Sequence, residues 1–337
     1  MKRRVLFVLG IVLSCLFLYL AFRRVSIEEL RLALAETHWA WLVASVGAML
    51  LDYCFMAVRW QLLLRPERRL PYPTVFAVLT IGFFANNVLP ARAGEVLRAY
   101  ALGRKEGMSK SFCLGSIVVE RGLDLVVLLA FVFLGGLFIP LPGWAHGLSE
   151  LAGVLLVLVV VVFAVVLAGE ARVEGVLARL ERAMPSRKSG FLVAKFRGFR
   201  SGISSVANWR LLPVLLALSA CVWALNATSG LLALRSIGGG TSLLGMIFVI
   251  GAVNLGLIVP SSPGFVGTYQ WLCIHAMAAL GIAEPVALAF SLLFHASWYL
   301  PSTVIGFVAA LRYNLLGSGR LSATQEAPEE AAEVPSL

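Results

Sequence analysis

The chain has 337 residues, of which 60% are hydrophobic and only 14% are charged, and its formal net charge is +10. A soluble domain of this size carries about 25% charged residues, so the composition excludes an ordinary water-soluble protein. The long apolar runs do not alternate polar and apolar residues as a membrane β-barrel requires. The excess of basic residues requires no nucleic-acid partner, because cytoplasmic loops of membrane proteins collect Lys and Arg. The sequence therefore predicts an all-α polytopic membrane protein.

About six full spans are predicted from helix length and apolar content. Four runs contain no Asp, Glu, Lys or Arg: Val5–Phe22, Leu151–Ala168, Leu211–Leu234 and Val286–Leu311. Two more spans are the hydrophobic region Trp39–Leu64 and a long helix that begins near Ser111. The first run is predicted to remain as an uncleaved helix, because no small-x-small cleavage site follows it.

Basic loops predict the topology. The N-terminus, the segments around residues 65–69 and 92–110, and the loop Glu170–Arg210 are rich in Lys and Arg, whereas Pro140–Ser149 has none. The positive-inside rule then places the basic segments and both termini in the cytoplasm. We expect a multi-pass protein of the plasma (inner) membrane.

The predicted domain organisation is a single transmembrane domain, residues 1–312. Its halves cover about residues 39–139 and 211–312, and the basic cytoplasmic loop of residues 170–210 joins them. Residues 313–337 are rich in Ala, Glu, Pro and Ser, which predicts a disordered tail.

A first re-entrant hairpin is predicted from the loop charges. Arg65–Arg69 and Arg92–Lys110 are both basic, yet only one hydrophobic segment, Val75–Leu89, separates them. A single crossing would place one basic cluster outside, whereas a hairpin with its turn near Asn86–Pro90 keeps both inside. Irregular backbone at membrane depth is tolerated where protein or water covers it, so this hairpin is predicted to line a cavity.

The C-terminal half repeats this pattern. Leu243–Val259 and Tyr269–Ile282 flank a second break, and both breaks share the spacing Pro-x-x-x-Gly, from Pro90 to Gly94 and from Pro263 to Gly267. Two broken segments at corresponding positions predict an inverted-repeat transporter with its site between them. The alternative is that Pro and Gly only mark loops between ordinary spans.

Ionisable residues inside the predicted spans lie mostly in the first half. Glu120 and Asp124 share one helix face, and Arg121 is spaced to pair with Asp124. Asp52 lies within its span, whereas Arg59 is predicted to extend to the headgroups. Buried charges of this kind indicate either a mechanistic site or a salt-bridge network that holds helices together.

Arg92 and Arg98 follow the first break itself, with Glu95 spaced to pair with either. An arginine fork suits a phosphate, and helix N-termini exposed at a break add donors. The second half offers neutral polar candidates, among them Ser261 and Ser262.

Three motifs in order carry a family resemblance. The segments Asn86–Arg98, Glu120–Asp124 and Pro260–Gly267 resemble the lysylphosphatidylglycerol synthase transmembrane (flippase-like) family, and the similarity covers about residues 39–311. The matched positions are Asn87, Pro90, Arg92, Gly94, Glu95, Arg98, Glu120, Arg121, Asp124, Pro260, Pro263, Gly264 and Gly267. The sequence departs from the family pattern at Ala91 and Phe265, where Gly is usual, and at Gln270, where Glu is usual.

The resemblance implies a flippase that moves a phosphate-bearing lipid or lipid-linked group between leaflets, with membrane lipids as partners. The expected substrate-binding residues are Arg92, Arg98, Asn87, Glu95, Glu120, Arg121, Asp124, Asp52, Ser261, Ser262 and Gln270. The expected hairpin-break residues are Pro90, Gly94, Pro260, Pro263, Gly264 and Gly267. No metal or cofactor is expected.

Two alternatives stay open. One is a proton-coupled transporter of a small solute that uses Asp52 or Glu120, and the other is a membrane enzyme acting on a lipid-linked substrate. Because the loops are short and no soluble transferase domain follows Arg312, the chain is predicted not to be an enzyme.

Overall fold

The structure, a computed structural model, describes residues 16–22, 25–35, 37–89, 93–168, 210–258 and 263–313, with side chains described only as far as residue 161 in the fourth range. The start of the predicted first span, the basic loop of residues 170–209 and the tail of residues 314–337 lie outside the described residues.

The described residues form helices and contain no strand, as the sequence predicts. Besides the helical residues 16–22, the elements are α1 Ile27–Ala35, α2 Trp39–Leu64, α3 Tyr72–Val88, α4 Ala93–Glu106, α5 Lys110–Phe138, α6 Gly143–Ala168, α7 Leu212–Ser236, α8 Leu243–Gly256, a 3-10 turn Pro263–Phe265, α9 Thr268–Ala278 and α10 Glu284–Arg312. Proline stands in the first turn of α3, α7 and α10, where its missing N–H costs nothing.

Within the described part of the chain, four helices are long and apolar enough to cross a membrane: α2, α6 over Gly143–Val161, α7 and α10. The helices α3 and α8 are apolar but shorter. The total of about six spans stays a prediction. The prediction that Pro140–Ser149 is a loop is wrong for most of this segment, because α6 begins at Gly143, directly after Pro142.

The first break joins two helices that pack closely on each other. A Cβ atom on Gly94 would overlap the carbonyl oxygen of Gly82, so α3 and α4 cross at two glycines. The loops on either side lie at the same end of the molecule, because Arg68 donates a hydrogen bond to the Glu106 carbonyl and the Glu67 carboxylate accepts one from the Ser109 N–H at 2.9 Å. The helices α3 and α4 therefore form a helical hairpin whose outer ends lie together, and its predicted re-entry into the membrane stays a prediction.

The second break forms a corresponding hairpin of α8 and α9 at the opposite end. A Cβ atom on Gly245, at the start of α8, would lie 3.2 Å from Leu280, which follows α9. The His38 N–H, before α2, donates to the Ser236 carbonyl at 2.7 Å, so this end also holds the start of α2. The two hairpins thus enter the helix assembly from opposite ends.

Helix contacts relate the two halves in a reciprocal way. The helix α2 packs against α7, α3 packs against α10, and α5 packs against α8, so exchanging α2–α5 with α7–α10 reproduces the same set of pairs. The pair α2 and α7 runs antiparallel: Ser45 and Ser229 exchange hydroxyl-to-carbonyl hydrogen bonds of 2.8 Å near one end, and Arg59 contacts Ser219 towards the other. This arrangement favours the predicted inverted repeat, which stays a prediction.

We expect labelling of single cysteines to follow this arrangement. In a cysteine-free background, Arg69→Cys and Arg104→Cys should react with a membrane-impermeant maleimide from the same side of the membrane. Gly240→Cys, on the exposed loop between α7 and α8, should react from the other side. Labelling of Arg69→Cys and Arg104→Cys from opposite sides would contradict a re-entrant first hairpin.

Candidate functional site

Six charged side chains from α2, α4 and α5 form one cluster within the helix assembly. They are Arg59, Glu95, Arg98, Glu120, Arg121 and Asp124. Three positive charges face three negative charges, so the cluster as described is neutral. Such pairing is what makes charges tolerable away from water.

The pair Arg98 and Glu120 forms two hydrogen bonds across the cluster. Arg98 donates from Nη1 and Nη2 to the two carboxylate oxygens of Glu120, at 3.0 and 2.6 Å, in a bidentate arrangement. The guanidinium carbon lies 3.7 Å from the ring centroid of Trp60, and the Arg98 side chain is 3% exposed. Both terminal nitrogens of Arg98 thus bind a carboxylate, and its predicted contact with a phosphate stays a prediction.

Arg59 corrects the sequence-based expectation most clearly. Its side chain does not extend to the headgroups: it is fully buried and donates from Nη1 to Asp124 at 2.6 Å and to Ser219 at 2.8 Å. Trp223 donates to the same oxygen of Asp124 at 3.0 Å. The spacing in the sequence indicates this burial, because Arg59 follows Asp52 by about two helical turns and therefore lies on the same helix face.

Arg121 stands at the centre of the cluster and is its most exposed arginine, at 35%. It donates from Nη2 to Glu120 at 2.7 Å, and Nη1 lies 3.4 Å from Asp124, which confirms the predicted pairing at this spacing. Its Nε lies 3.8 Å from Glu95. The prediction that Glu95 pairs with Arg92 or Arg98 is therefore wrong for Arg98, because Glu120 already occupies that guanidinium.

A cavity of about 200 Å³ lies beside this cluster, between the two halves. Its charged and polar lining comes mainly from the first half: Asp52, Asn86, Asn87, Glu95, Arg98 and Arg121. Its aromatic lining comes largely from the second half: Trp223, Phe265, Tyr269, Phe294 and Trp298. The cavity therefore has a charged wall and an aromatic wall.

Asp52 lines this cavity without being part of the neutral cluster. Its side chain is 3% exposed, and its Oδ1 has no hydrogen-bond partner among the residues that the structure describes. A buried carboxylate oxygen without a partner is costly, which makes Asp52 a candidate to contact a ligand.

The two helix breaks meet beside the cavity. Asn87, at the end of α3, donates to the hydroxyls of Ser302 and Thr303 in α10 at 3.0 and 2.8 Å. A Cβ atom on Gly264 would lie 2.6 Å from the Tyr299 ring and 3.4 Å from the Asn87 carbonyl oxygen. The break residues Pro90, Pro260, Ser261 and Ser262, together with Arg92, lie outside the described residues.

Backbone conformation explains the glycines of the second break. Gly264 and Gly267 have φ values of 65° and 88°, in the region that glycine adopts without steric cost. Phe265 stands where the family pattern has Gly and also has a positive φ, of 59°. This non-glycine residue is strained, and its side chain lines the cavity.

Gln270, where the family pattern has Glu, supports the second hairpin. Its Oε1 accepts a hydrogen bond from the Gly267 N–H at 2.7 Å, and its amide nitrogen lies 2.9 Å from His295 Nδ1. Gln270 does not line the cavity described above, so its role in substrate binding stays a prediction.

A family model described as the lysylphosphatidylglycerol synthase TM region matches residues 7–306. The chain belongs to this family. The match covers the two hairpins and the charged cluster, and it confirms the resemblance that the three motifs carry. The family establishes a membrane protein and leaves its activity open.

Several curated relatives match this family member. Glycosyltransferase AglD of Haloferax volcanii is 27% identical, over 98% of this chain and 57% of its own length. A UPF0104 membrane protein of Methanothermobacter thermautotrophicus is 22% identical, over 76% of this chain and 78% of its own length. UPF0104 membrane protein MJ1078 of Methanocaldococcus jannaschii is 23% identical, over 67% of this chain and 92% of its own length.

The prediction that the chain is not an enzyme is contradicted by the first of these relatives. AglD carries the name of a glycosyltransferase, and it is similar over nearly the whole of this chain. The chain spans little more than half the length of AglD. Short loops were therefore an insufficient ground for excluding enzymatic activity.

Proposed function

We propose that this protein moves a phosphate-bearing lipid or lipid-linked group between the leaflets of the membrane. The observation that carries the proposal is the cavity beside the two helix breaks, with its charged wall and its aromatic wall. A lipid headgroup joined to an apolar chain has the matching two-sided chemistry. Ligand pockets commonly combine apolar lining with a few convergent polar groups.

The burial of the charged cluster also supports this proposal. Glu120, Arg121 and Asp124 lie within α5, and Arg59 lies within the predicted span α2. Intramembrane ionisable residues are expensive and usually face a substrate pathway or a partner. Here they do both, because Arg121 contacts its acidic partners and also lines the cavity.

The opposite entry of the two hairpins offers a route for alternating access. In inverted-repeat transporters, broken helices of the two halves form the site, and one half rocks against the other. Here Asn87 and Gly264 bring the two breaks together at the cavity. Rocking about this contact would open the cavity first to one end of the molecule and then to the other.

A translocation assay with Asp52→Asn tests the proposal. We expect purified wild-type protein in phosphatidylcholine vesicles to move fluorescent phosphatidylglycerol from the inner to the outer leaflet, where added dithionite quenches it. Asp52→Asn should slow this step about tenfold or more, the effect of losing one charge-assisted hydrogen bond that Asp52 accepts from a headgroup hydroxyl. Its melting temperature should be unchanged or raised, because Oδ1 of Asp52 has no partner to lose among the described residues.

The matched control is Glu150→Gln, which removes a carboxylate from an exposed position of α6. It should leave both the translocation rate and the melting temperature unchanged. Wild-type protein that moves no lipid, but takes up a small solute in a pH-dependent manner, would refute the translocase and favour the proton-coupled alternative.

A second candidate is an enzyme that acts on a lipid-linked substrate, and similarity to a protein named glycosyltransferase AglD favours it. The cavity could hold the lipid part of such a substrate. Incubation of the purified protein with radiolabelled sugar nucleotides and polyprenyl phosphate tests this candidate. A labelled lipid product formed by wild type and lost in Asp52→Asn would support it, and no product with any donor would count against it.

A further inference from the structure

The contact between Glu95 and Arg121 is one of the two loosest ion pairs of the charged cluster; the other, Arg59–Glu120 at 3.9 Å, joins two fully buried side chains. The closest atoms of Glu95 and Arg121 are 3.8 Å apart, whereas Arg59–Asp124, Arg98–Glu120 and Arg121–Glu120 measure 2.6, 2.6 and 2.7 Å. The side chains of Glu95 and Arg121 are 28% and 35% exposed, and both line the cavity. The pair is therefore accessible to a ligand.

Among the described arginines of the cluster, Arg121 has the guanidinium most available to a ligand. Both terminal nitrogens of Arg98 donate to Glu120, and the Arg59 side chain is fully buried and does not line the cavity. The Nε of Arg121 has no hydrogen-bond partner among the described residues, and its Nη1 lies 3.4 Å from Asp124 without a hydrogen bond. Arg121 therefore retains guanidinium donors that an oxygen anion can use.

We propose that Glu95 competes with the ligand's phosphate for Arg121. The Glu95 carboxylate pairs with Arg121 until a phosphate group displaces it. The inference rests on the proposed function, because it requires a ligand that carries phosphate. A phosphate offers more oxygens and more negative charge than a carboxylate, so it can displace the loosely held Glu95. A lipid without an anionic headgroup cannot, and the pair therefore acts as a specificity filter.

Displacement of Glu95 would also change the first hairpin. Glu95 lies in the first turn of α4, next to Gly94, whose N–H donates to the Asn86 side chain at 2.8 Å. The Glu95–Arg121 pair ties this turn to α5, while Arg98–Glu120 ties α4 to α5 one turn further along. Ligand binding would thus release the first turn of α4 from α5 and leave the Arg98–Glu120 attachment in place.

Binding measurements on the full chain in neutral detergent test the inference. The probes are dihexanoyl phosphatidic acid, inorganic phosphate, and dihexanoylglycerol, which is the same lipid without phosphate. Glu95→Gln should bind phosphatidic acid about two- to fivefold more tightly than wild type, the range for losing a partly exposed competing ion pair. Arg121→Gln should bind it about tenfold more weakly or worse. Dihexanoylglycerol should bind all variants equally.

Controls separate the possible outcomes. Glu150→Gln should bind like wild type, and Glu95→Gln should have no further effect in an Arg121→Gln background, because its effect acts through Arg121. Unchanged or weaker binding of phosphatidic acid by Glu95→Gln overturns the competitor role and leaves the proposed translocase intact. If Arg121→Gln does not fold, the result for Glu95→Gln decides by itself. Absence of phosphatidic acid binding by every variant counts against the proposed function itself. If Glu95→Gln binds inorganic phosphate more tightly than wild type but binds phosphatidic acid equally, a lipid headgroup is not the ligand.

Discussion

Replacing Arg98 with Gln is expected to destabilise the protein by about 3 kcal/mol or more, the range for breaking a buried ion pair from one side. The substitution removes a bidentate contact with Glu120 and the stacking on Trp60. Glu120 would retain Arg121 at 2.7 Å, which moderates the loss. Equilibrium unfolding in mixed micelles measures the effect.

The matched control is Arg104→Gln, at an exposed position in the last turn of the same helix, which should change stability by less than about 0.5 kcal/mol. The double variant Arg98→Met, Glu120→Met should lose less than the sum of its single variants, because it leaves no charge of that pair unpaired. Arg98→Gln that remains as stable as wild type but loses lipid binding would contradict this structural role. It would restore the direct phosphate contact expected from the sequence.

Gly94→Ala is expected to destabilise the protein by about 3 kcal/mol, near the upper end of the range for overpacking a tight contact. The added Cβ would overlap the Gly82 carbonyl oxygen and would lie 2.6 Å from the Asn86 side-chain oxygen. Neither backbone can move away without separating α3 from α4. Unfolding midpoints and the yield of monodisperse protein measure the effect.

Gly47→Ala is the control for this substitution. Gly47 lies within α2, and a Cβ atom added there would have no neighbouring atom within 4 Å, so alanine should stabilise the helix by about 0.5–1 kcal/mol. Equal behaviour of Gly94→Ala and Gly47→Ala would contradict the close crossing of the first hairpin.

Local patterns in the sequence predicted the features that depend on local chemistry. Pro and Gly predicted both helix breaks, and Gly264 and Gly267 indeed have positive φ values. The spacing of Arg121 and Asp124 predicted their pairing, because residues three apart share a helix face. The three motifs were sufficient to identify the family.

Contacts between distant segments could not be predicted in this way. Arg59 and Asp124 are 65 residues apart, and Trp223 and Asp124 are 99 apart, so no local spacing indicates either contact. The depth of Arg59 in its span predicts that it extends to the headgroups, whereas its helical face is what decides its environment. Glu95 had two arginines within local reach, and the bond from Arg98 to Glu120 removed one of them.

The two halves contribute unequal chemistry to the cavity. The first half supplies the carboxylates and arginines, while α9 and α10 supply Tyr269, Phe294 and Trp298. Gln270 adds to this difference in charge between the halves, because a neutral amide stands where the family pattern has an acid. A phosphate-bearing lipid would place its headgroup against the first half and its apolar portion towards the second.

The most direct test of a lipid headgroup in the cavity is mass spectrometry of the lipids that copurify with the protein, with wild type beside Arg121→Gln and the exposed-site control Arg104→Gln. We expect wild type and Arg104→Gln to retain one phosphate-bearing lipid above its proportion in the membrane, and Arg121→Gln to lose it. The same bulk-like lipid composition in all three proteins would contradict the proposal that the cavity holds a lipid headgroup.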